Sequence, residues 1–467
     1  MKAGVIGSSS QQRSLPFDAQ RNVNLFVVSD PQGSEQASLY SRPGLQLFGT
    51  VGVGPGRGGF SATNGRTFTV SGSIVYEIMA DGSGVSRGSL DQSQGNLTMD
   101  ENGFQLAICD GLSLYIFTYA TNTFQKVINV NLPSAASVTF IDGYFVTNRV
   151  SSGIFQISGL YDGNTWAALD FATAESSPDS LLRVLNVLGQ LWLFGAKTTE
   201  IWYNNGSVAF PFSRISGGKM ETGIQAPFSA IAVDNSAFWV GRDGNGAGIV
   251  FRADGFTPKR ISTEAIELRI QTAPTPSTLK SYTYQENGHP FWILTGGGME
   301  TALVYDISTQ LWSEWAYLND DGRYELPRGI QTIYAFNKQI VVDRDNGNLY
   351  IQSLDYYSDN GREIPRDRIF THIINENQRQ LYSNITVGFE TGVGIQYGQG
   401  NDPKCMLSLS SDGGRTWFGN YVKTIGKAGQ YRSRVTFQRL GQARERTFRI
   451  RLTDPVRCAI TGAYFNV

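Results

Sequence analysis

Residues able to move a proton near neutral pH are scarce in this chain, and their neighbours do not assist them. The 467 residues include two histidines, His289 and His372. His289 precedes Pro290 in a turn-like stretch and His372 falls in a linker-like one, neither with a Ser or Cys nucleophile pattern beside it. A hydrolytic triad needs its base within reach of the nucleophile, so this pattern disfavours one. Carboxylates at Asp320-Asp321, and Glu175 with Asp179, are the types that glycoside hydrolysis uses in pairs. Solvated loops account for them more simply. Cys109, Cys405 and Cys458 lie far apart with no CxxC pair, which reads as three buried small apolar residues in a reducing compartment. Asp343-Arg344-Asp345-Asn346-Gly347-Asn348 looks like a calcium loop, but its glycine comes one position early and Leu354 stands where a bidentate Glu is needed. The glycine run from Gly52 to Gly59 lacks the Lys-Ser/Thr of a phosphate loop and is broken by Pro55, so it reads as a loop entering a β element. No catalytic residue, cofactor or metal is expected.

Two features carry more pattern. Ser410, Asp412, Gly414, Thr416 and Trp417 fit Ser-x-Asp-x-Gly-x-Thr-Trp, the Asp-box hairpin found in sialidases and many other β proteins. There the carboxylate accepts N–H groups inside the turn, Gly supplies the unusual φ and Trp covers the hairpin. Such a turn says little about catalysis. Between Lys427 and Arg457 nine basic residues face two acidic ones, a local +7 that leaves −8 for the rest of a chain of net −1. Arg432, Arg434, Arg439, Arg446, Arg449 and Arg451 are the candidate contact residues. Arginines at every second or third place of 446–452 predict a strand with one cationic and one apolar face. That face reads as solvated, as a surface for an acidic partner protein, or as a nucleic-acid surface. Aromatics for base stacking are thin there.

The elements that must position these residues are strands. There are 53 glycines, 12% aromatics and 17% charged residues, against about 25% charged in an average soluble protein. This suits a large β protein with tight turns, and a net charge near zero argues against a surface that grips nucleic acid throughout. No run approaches the ~18 apolar residues of a membrane-spanning helix. The opening residues lack the apolar stretch of a secretory signal. Short apolar runs meet turns of Gly or Asn type at Gly65, Gly103, Gly143, Gly189, Asn235, Gly288 and Asn337, spaced 38, 40, 46, 46, 53 and 49 apart. Units of 40–50 residues, each holding a hairpin, predict the blades of a β-propeller. Six or seven blades are expected. One short helix is expected over Ser262–Ile270, ahead of Pro274 and Pro276. The predicted organisation is all-β: an N-terminal segment with assembly contacts over 1–44, the propeller over 45–357 and a C-terminal β-sandwich over 358–467.

Beyond the repeat, several stretches occur in a telling order. Asn22-Val23-Asn24-Leu25-Phe26 is followed by Arg42-Pro43-Gly44-Leu45. Thr199-Glu200-Ile201-Trp202, Phe210-Pro211-Phe212 and Glu221-Thr222-Gly223 come next, then Arg260-Ile261-Ser262-Thr263. Towards the end stand Gly392-Val393-Gly394, Ser410 to Trp417, Gly429-Gln430-Tyr431-Arg432-Ser433-Arg434 and Arg439-Leu440-Gly441. The combination resembles the packaged-DNA stabilisation or tail-hub (nozzle) proteins of short-tailed bacteriophages (podoviruses). The resemblance implies a virion protein made in the host bacterial cytoplasm and assembled as a ring, usually a hexamer, below the portal and its adaptor. It implies a channel for double-stranded DNA without sequence-specific binding, retention of packaged DNA, and attachment of a needle, tailspikes or tail fibres. The family has no catalytic residues to carry over.

Acidic loops such as Asn319-Asp320-Asp321-Gly322 would suit a channel lining, because like charges let a duplex slide. The competing reading is a sialidase-like or glycan-binding propeller acting on host surface sugars. It calls for several Asp-boxes spread among the blades, whereas one clear box is present and lies outside the repeat.

Overall fold

The computed structural model describes residues 4–30, 32, 36–174, 179–374, 376 and 378–466. Seven sheets succeed one another around a ring, with innermost strands Gly56–Ser61, Thr98–Glu101, Ser137–Ile141, Leu181–Val187, Ile231–Val233, Lys280–Glu286 and Gly329–Ala335. Each inner strand packs on the next, and the seventh returns to the first. The blade number is seven.

All seven marker turns join the first strand of a blade to its second. Asp142-Gly143 (φ 49° and 91°), Asn287-Gly288 (49° and 79°) and Phe336-Asn337 (54° and 57°) hold two consecutive positive φ values. This is the geometry of a two-residue hairpin matched to strand twist. Between blades the apolar faces meet in shared clusters. Phe68, Leu106 and Phe117 join blades 1 and 2, and Trp192, Phe194 and Trp239 join blades 4 and 5. The short helix lies at Glu264–Gln271, as the sequence predicts, but Thr263 makes no side-chain cap. Ser262 Oγ instead donates to Glu267 Oε1 at 2.6 Å, and Arg260 pairs with the same carboxylate.

Closure uses a strand from the other end of the chain. Gly44–Thr50 lies antiparallel to Asn348–Ser353 as the outer strand of blade 7, with Leu45 opposite Gln352. The glycine run supplies the seam beside it. A Cβ on Gly56 would stand 2.3 Å from the Asp343 carbonyl oxygen, so the approach of blade 1 to blade 7 requires glycine there.

The second body is a sandwich of two five-stranded layers. One layer runs Arg21–Val23, Arg366–Ile369, Glu445–Leu452, Lys404–Ser410, Phe418–Thr424; the other runs Leu25–Ser29, Ala37–Ser41, Ala459–Asn466, Asn384–Phe389, Val435–Gln438. Leu25, Leu39, Ile385, Leu407, Phe448 and Ile450 fill the space between them. Three of its strands therefore come from residues before the propeller. The first layer also continues into blade 6, because Val23 pairs in parallel with Glu314 of that blade's outer strand.

Candidate functional site

The Asp-box forms the hairpin its residue types require. Asp412 Oδ1 accepts the N–H groups of Arg415 (3.0 Å) and Thr416 (2.9 Å) and the Ser410 hydroxyl (2.7 Å), while Thr416 Oγ1 donates to Oδ2 at 2.5 Å. These bonds, led by Thr416, hold the carboxyl well below the usual carboxylate range. Gly414 sits at φ 93°. The acceptor capacity of the carboxylate is spent inside its own turn. An Asp412→Ala variant is expected to speed amide exchange at Arg415 and Thr416 by about tenfold or more, read by hydrogen-exchange mass spectrometry, with the distant blades unchanged.

Trp417 is half-buried, and Arg449 lies over its ring at 4.7 Å. This ties the box to the cationic strand. The single cationic face expected for that strand is not what forms. The gap from Arg446 to Arg449 is three residues, so Arg446 shares the parity of Phe448, Ile450 and Leu452 and points to the buried side. There its guanidinium donates to Leu440 O (3.2 Å) and Ser411 Oγ (3.0 Å) and lies over Tyr382 and Phe418. Burial lowers its pKa from the ordinary value. Arg451 forks onto Asp367 at 2.6 and 2.5 Å, and Tyr324 donates to the same carboxylate. Arg432, Arg434 and Arg439 are exposed, with no ion pair among the described residues.

Asp320 and Asp321 stand at the tip of a hairpin formed by Tyr317–Leu318 and Tyr324–Glu325, between blades 6 and 7. Asp321 is exposed, and Asp320 pairs with Arg362 at 2.6 Å. Glu175 of the other carboxylate pair lies outside the described residues. Asp343 accepts from the Asp345 N–H (2.7 Å) and Tyr350 (2.9 Å) in a blade-7 turn. Among the described residues no cluster of three or more His, Cys, Asp or Glu could hold a metal. All three cysteines are buried, and burial pushes the Cys109 thiol up to about 12.

A serine, a histidine and an aspartate do meet in blade 6. Ser308 Oγ (3.0 Å) and Asp306 Oδ2 (2.7 Å) both address Nδ1 of His289. A relay needs nucleophile and carboxylate on opposite ring nitrogens, so this cluster is a turn lock without triad geometry. His372 directs Nδ1 at the Pro16 carbonyl, 2.8 Å away, and pins the N-terminal stretch to the sandwich.

A densely bonded constellation was not singled out by chemistry-bearing patterns. It is the joint between propeller and sandwich. Asn24 takes a left-handed backbone, φ 57°, where the chain leaves one sandwich layer for the other. Its Oδ1 accepts from Arg42 Nε and from Ala316 N–H, both at 2.8 Å, and its Nδ2 donates to Pro365 O. Arg42 forks onto Asp359 at 3.0 and 2.5 Å, with both side chains 2% exposed. Nearby, fully buried Glu314 accepts from Arg21 (2.6 Å), Thr301 and Ser9, and pairs with Arg269 at 2.8 Å. Burial alone would push this carboxyl up, but the two guanidinium groups more than offset it and hold the pKa well below the ordinary range. Arg366 and Arg368, also buried, donate to main-chain carbonyls of Asp454, Tyr357 and Val5. Asn22–Phe26 and Arg42–Leu45, two of the stretches noted above for their order, are thus the inside of the joint.

Comparison with known proteins agrees with this two-body construction. Among curated proteins none matches the chain. Solved structures of similar shape include the N-terminal domain of Nup159 (10% identity, 72% of this chain, 99% of that one, TM-score 0.42) and the WD40 β-propeller domain of Doa1 (14%, 66%, 97%, 0.41). These likenesses are too slight to carry an argument. Family descriptions are decisive: "Bacteriophage P22 Gp10, beta-propeller" matches residues 5–356 and "Bacteriophage P22 Gp10, beta-sandwich" matches 366–467. A propeller closed by its own N-terminal strand and locked through buried arginines to a sandwich is, over almost its whole length, a member of the Bacteriophage P22 Gp10 family, and so a structural, non-catalytic protein of the phage tail-stabilisation and hub type.

Proposed function

We propose that copies of this protein assemble into a ring, six to a tail, below the portal and its adaptor, where they extend the DNA channel, retain the packaged genome and hold a needle, spikes or fibres. The observation that carries the reading is the match of both family descriptions, in order, to propeller and sandwich. In this reading the propeller (45–357) is the rigid wall and the sandwich (358–467) presents the contact surface, with segment 1–44 lending it three strands and tying it to blade 6. Arg432, Arg434 and Arg439 are the cations left exposed for an acidic partner. Arg446, Arg449 and Arg451 support that surface from within. Asp321, and Asp320 beside Arg362, are the acidic tip that would face passing DNA.

Electron microscopy of particles lacking the protein tests the proposal. Filled heads that lose DNA and carry truncated tails are expected; complete tails that keep their genomes would overturn it. Reversing Arg432, Arg434 and Arg439 to Glu is expected to cut incorporation into tails by about tenfold or more, since like charges then meet across the contact. Unchanged occupancy in the particles would remove that surface from the reading.

A further inference from the structure

The propeller axis encloses a cavity of about 320 Å³ between the inner strands. Arg57 of blade 1, Arg183 of blade 4 and Lys280 of blade 6 line it, and among the described residues no carboxylate does. This is the reverse of the joint, where Arg21, Arg42 and Arg269 each have an acidic partner. Arg57, 6% exposed, gives Nε and Nη1 to the carbonyls of Gly95, Gly72 and Gln92. Among the described residues its Nη2 has no hydrogen-bond partner. Nor do Nε and Nη1 of Arg183, nor the Thr332 hydroxyl at the same cavity wall. Lys280 has no ion pair among the described residues.

Buried donors without partners are costly, and a native fold that keeps several around one space calls for an acceptor there. The acidic groups whose charge reaches these cations are already engaged. Asp100, facing Arg183, accepts from Phe140 N–H (2.6 Å), Thr139 Oγ1 (3.1 Å) and Glu101 N–H (2.9 Å). Asp110, facing Arg57, accepts from Leu112 and Ser113 N–H groups and from Tyr115.

We propose that the axial cavity is a binding site for a small, multiply charged oxyanion of the phosphate class, held by Arg183, Lys280 and Arg57. The Arg183 guanidinium offers charged N–H donors to phosphoryl oxygens, Lys280 adds a point charge and Thr332 a neutral donor. The volume is at the small end of ligand sites, about 300–1,000 Å³, and admits a di- or triphosphate but no duplex. Burial pushes the Arg183 guanidinium down to about 10; burial, and then neighbouring Arg344, push the Lys280 ammonium down to about 8. An anion in the cavity would relieve both and would tie blades 1, 4 and 6 across the axis. This inference does not depend on the tail-hub reading.

The test is calorimetric titration of the full chain with pyrophosphate at ionic strength fixed by sodium chloride. Saturable binding at about one per chain is expected, with orthophosphate weaker by about tenfold or more because it meets fewer cations at once. Arg183→Met and Lys280→Met each remove a cation that has no ion pair among the described residues, although Arg183 lies over the Phe228 ring at 5.6 Å, so the ligand-free melting temperature should hold or rise while its pyrophosphate-induced rise disappears. Either variant alone suffices if the other fails to fold. Tripolyphosphate binding more tightly than adenosine triphosphate would assign the site to free polyphosphate; the reverse order would assign it to nucleotides. Absence of saturation in the wild type, or undiminished binding in the folded variants, would overturn the proposal.

Discussion

Replacing Glu314 by alanine is expected to lower the unfolding free energy by about 3–5 kcal/mol, the range for removing one partner of a buried ion cluster. The carboxylate is fully buried and bonded to Arg21, Arg269, Thr301 and Ser9, so its loss leaves two guanidinium groups inside the joint without a counter-ion. Chemical denaturation followed by tryptophan fluorescence checks it, since Trp312 and Trp315 flank the site and are buried. A change below about 1 kcal/mol would mean that the joint relaxes around the cavity or admits water. Acid should reproduce part of the effect. The folded pKa of Glu314 is depressed, so its stabilisation is complete above the unfolded carboxylate value, about 4.3, and is lost as pH falls towards the lower folded value. The gap between wild type and Glu314→Ala should therefore narrow below about pH 4.

A chain shortened to begin at Val51 is expected not to fold. It would lack the outer strand of blade 7 and expose the edge of Asn348–Ser353. The sandwich would lose Arg21–Val23 from one layer and Leu25–Ser29 with Ala37–Ser41 from the other. Unpaired strand edges recruit other chains, so aggregation is the expected product. Size-exclusion chromatography and limited proteolysis report the result. A soluble monomer with the protease resistance of the whole chain would show that blade 7 closes without its N-terminal strand.

Much of the propeller was legible because its signal is local. Asn-Gly and Asp-Gly turns need positive φ wherever they occur, so Gly143 and Gly288 mark hairpins without knowledge of the rest. The Asp-box was legible for the same reason. The cationic strand was half legible: alternation predicted two faces, but Arg446 fell on the apolar one and became part of the core around Tyr382. The joint was illegible as chemistry. Arg42 and Asp359 stand 317 residues apart, and Arg21 and Glu314 stand 293 apart. No spacing rule spans such distances, although the order of the stretches around Asn24 and Arg42 carried the family likeness. Arg57, Arg183 and Lys280 are likewise brought together by ring closure alone.

The strand that closes blade 7 has a consequence for synthesis. At the usual translation rate of about 5–20 residues per second, the 317 residues between Arg42 and Asp359 occupy roughly 15–60 s. For most of that interval Gly44–Thr50 and Arg21–Val23 have no mates, and Leu25–Ser29 with Ala37–Ser41 is a lone hairpin, because the strands that complete their sheets are still unmade. The nascent chain must therefore emerge from the ribosome with its first folded blades in place and its leading end held unattached. Chaperone occupancy on that leading end should persist until the seventh blade has cleared the exit tunnel.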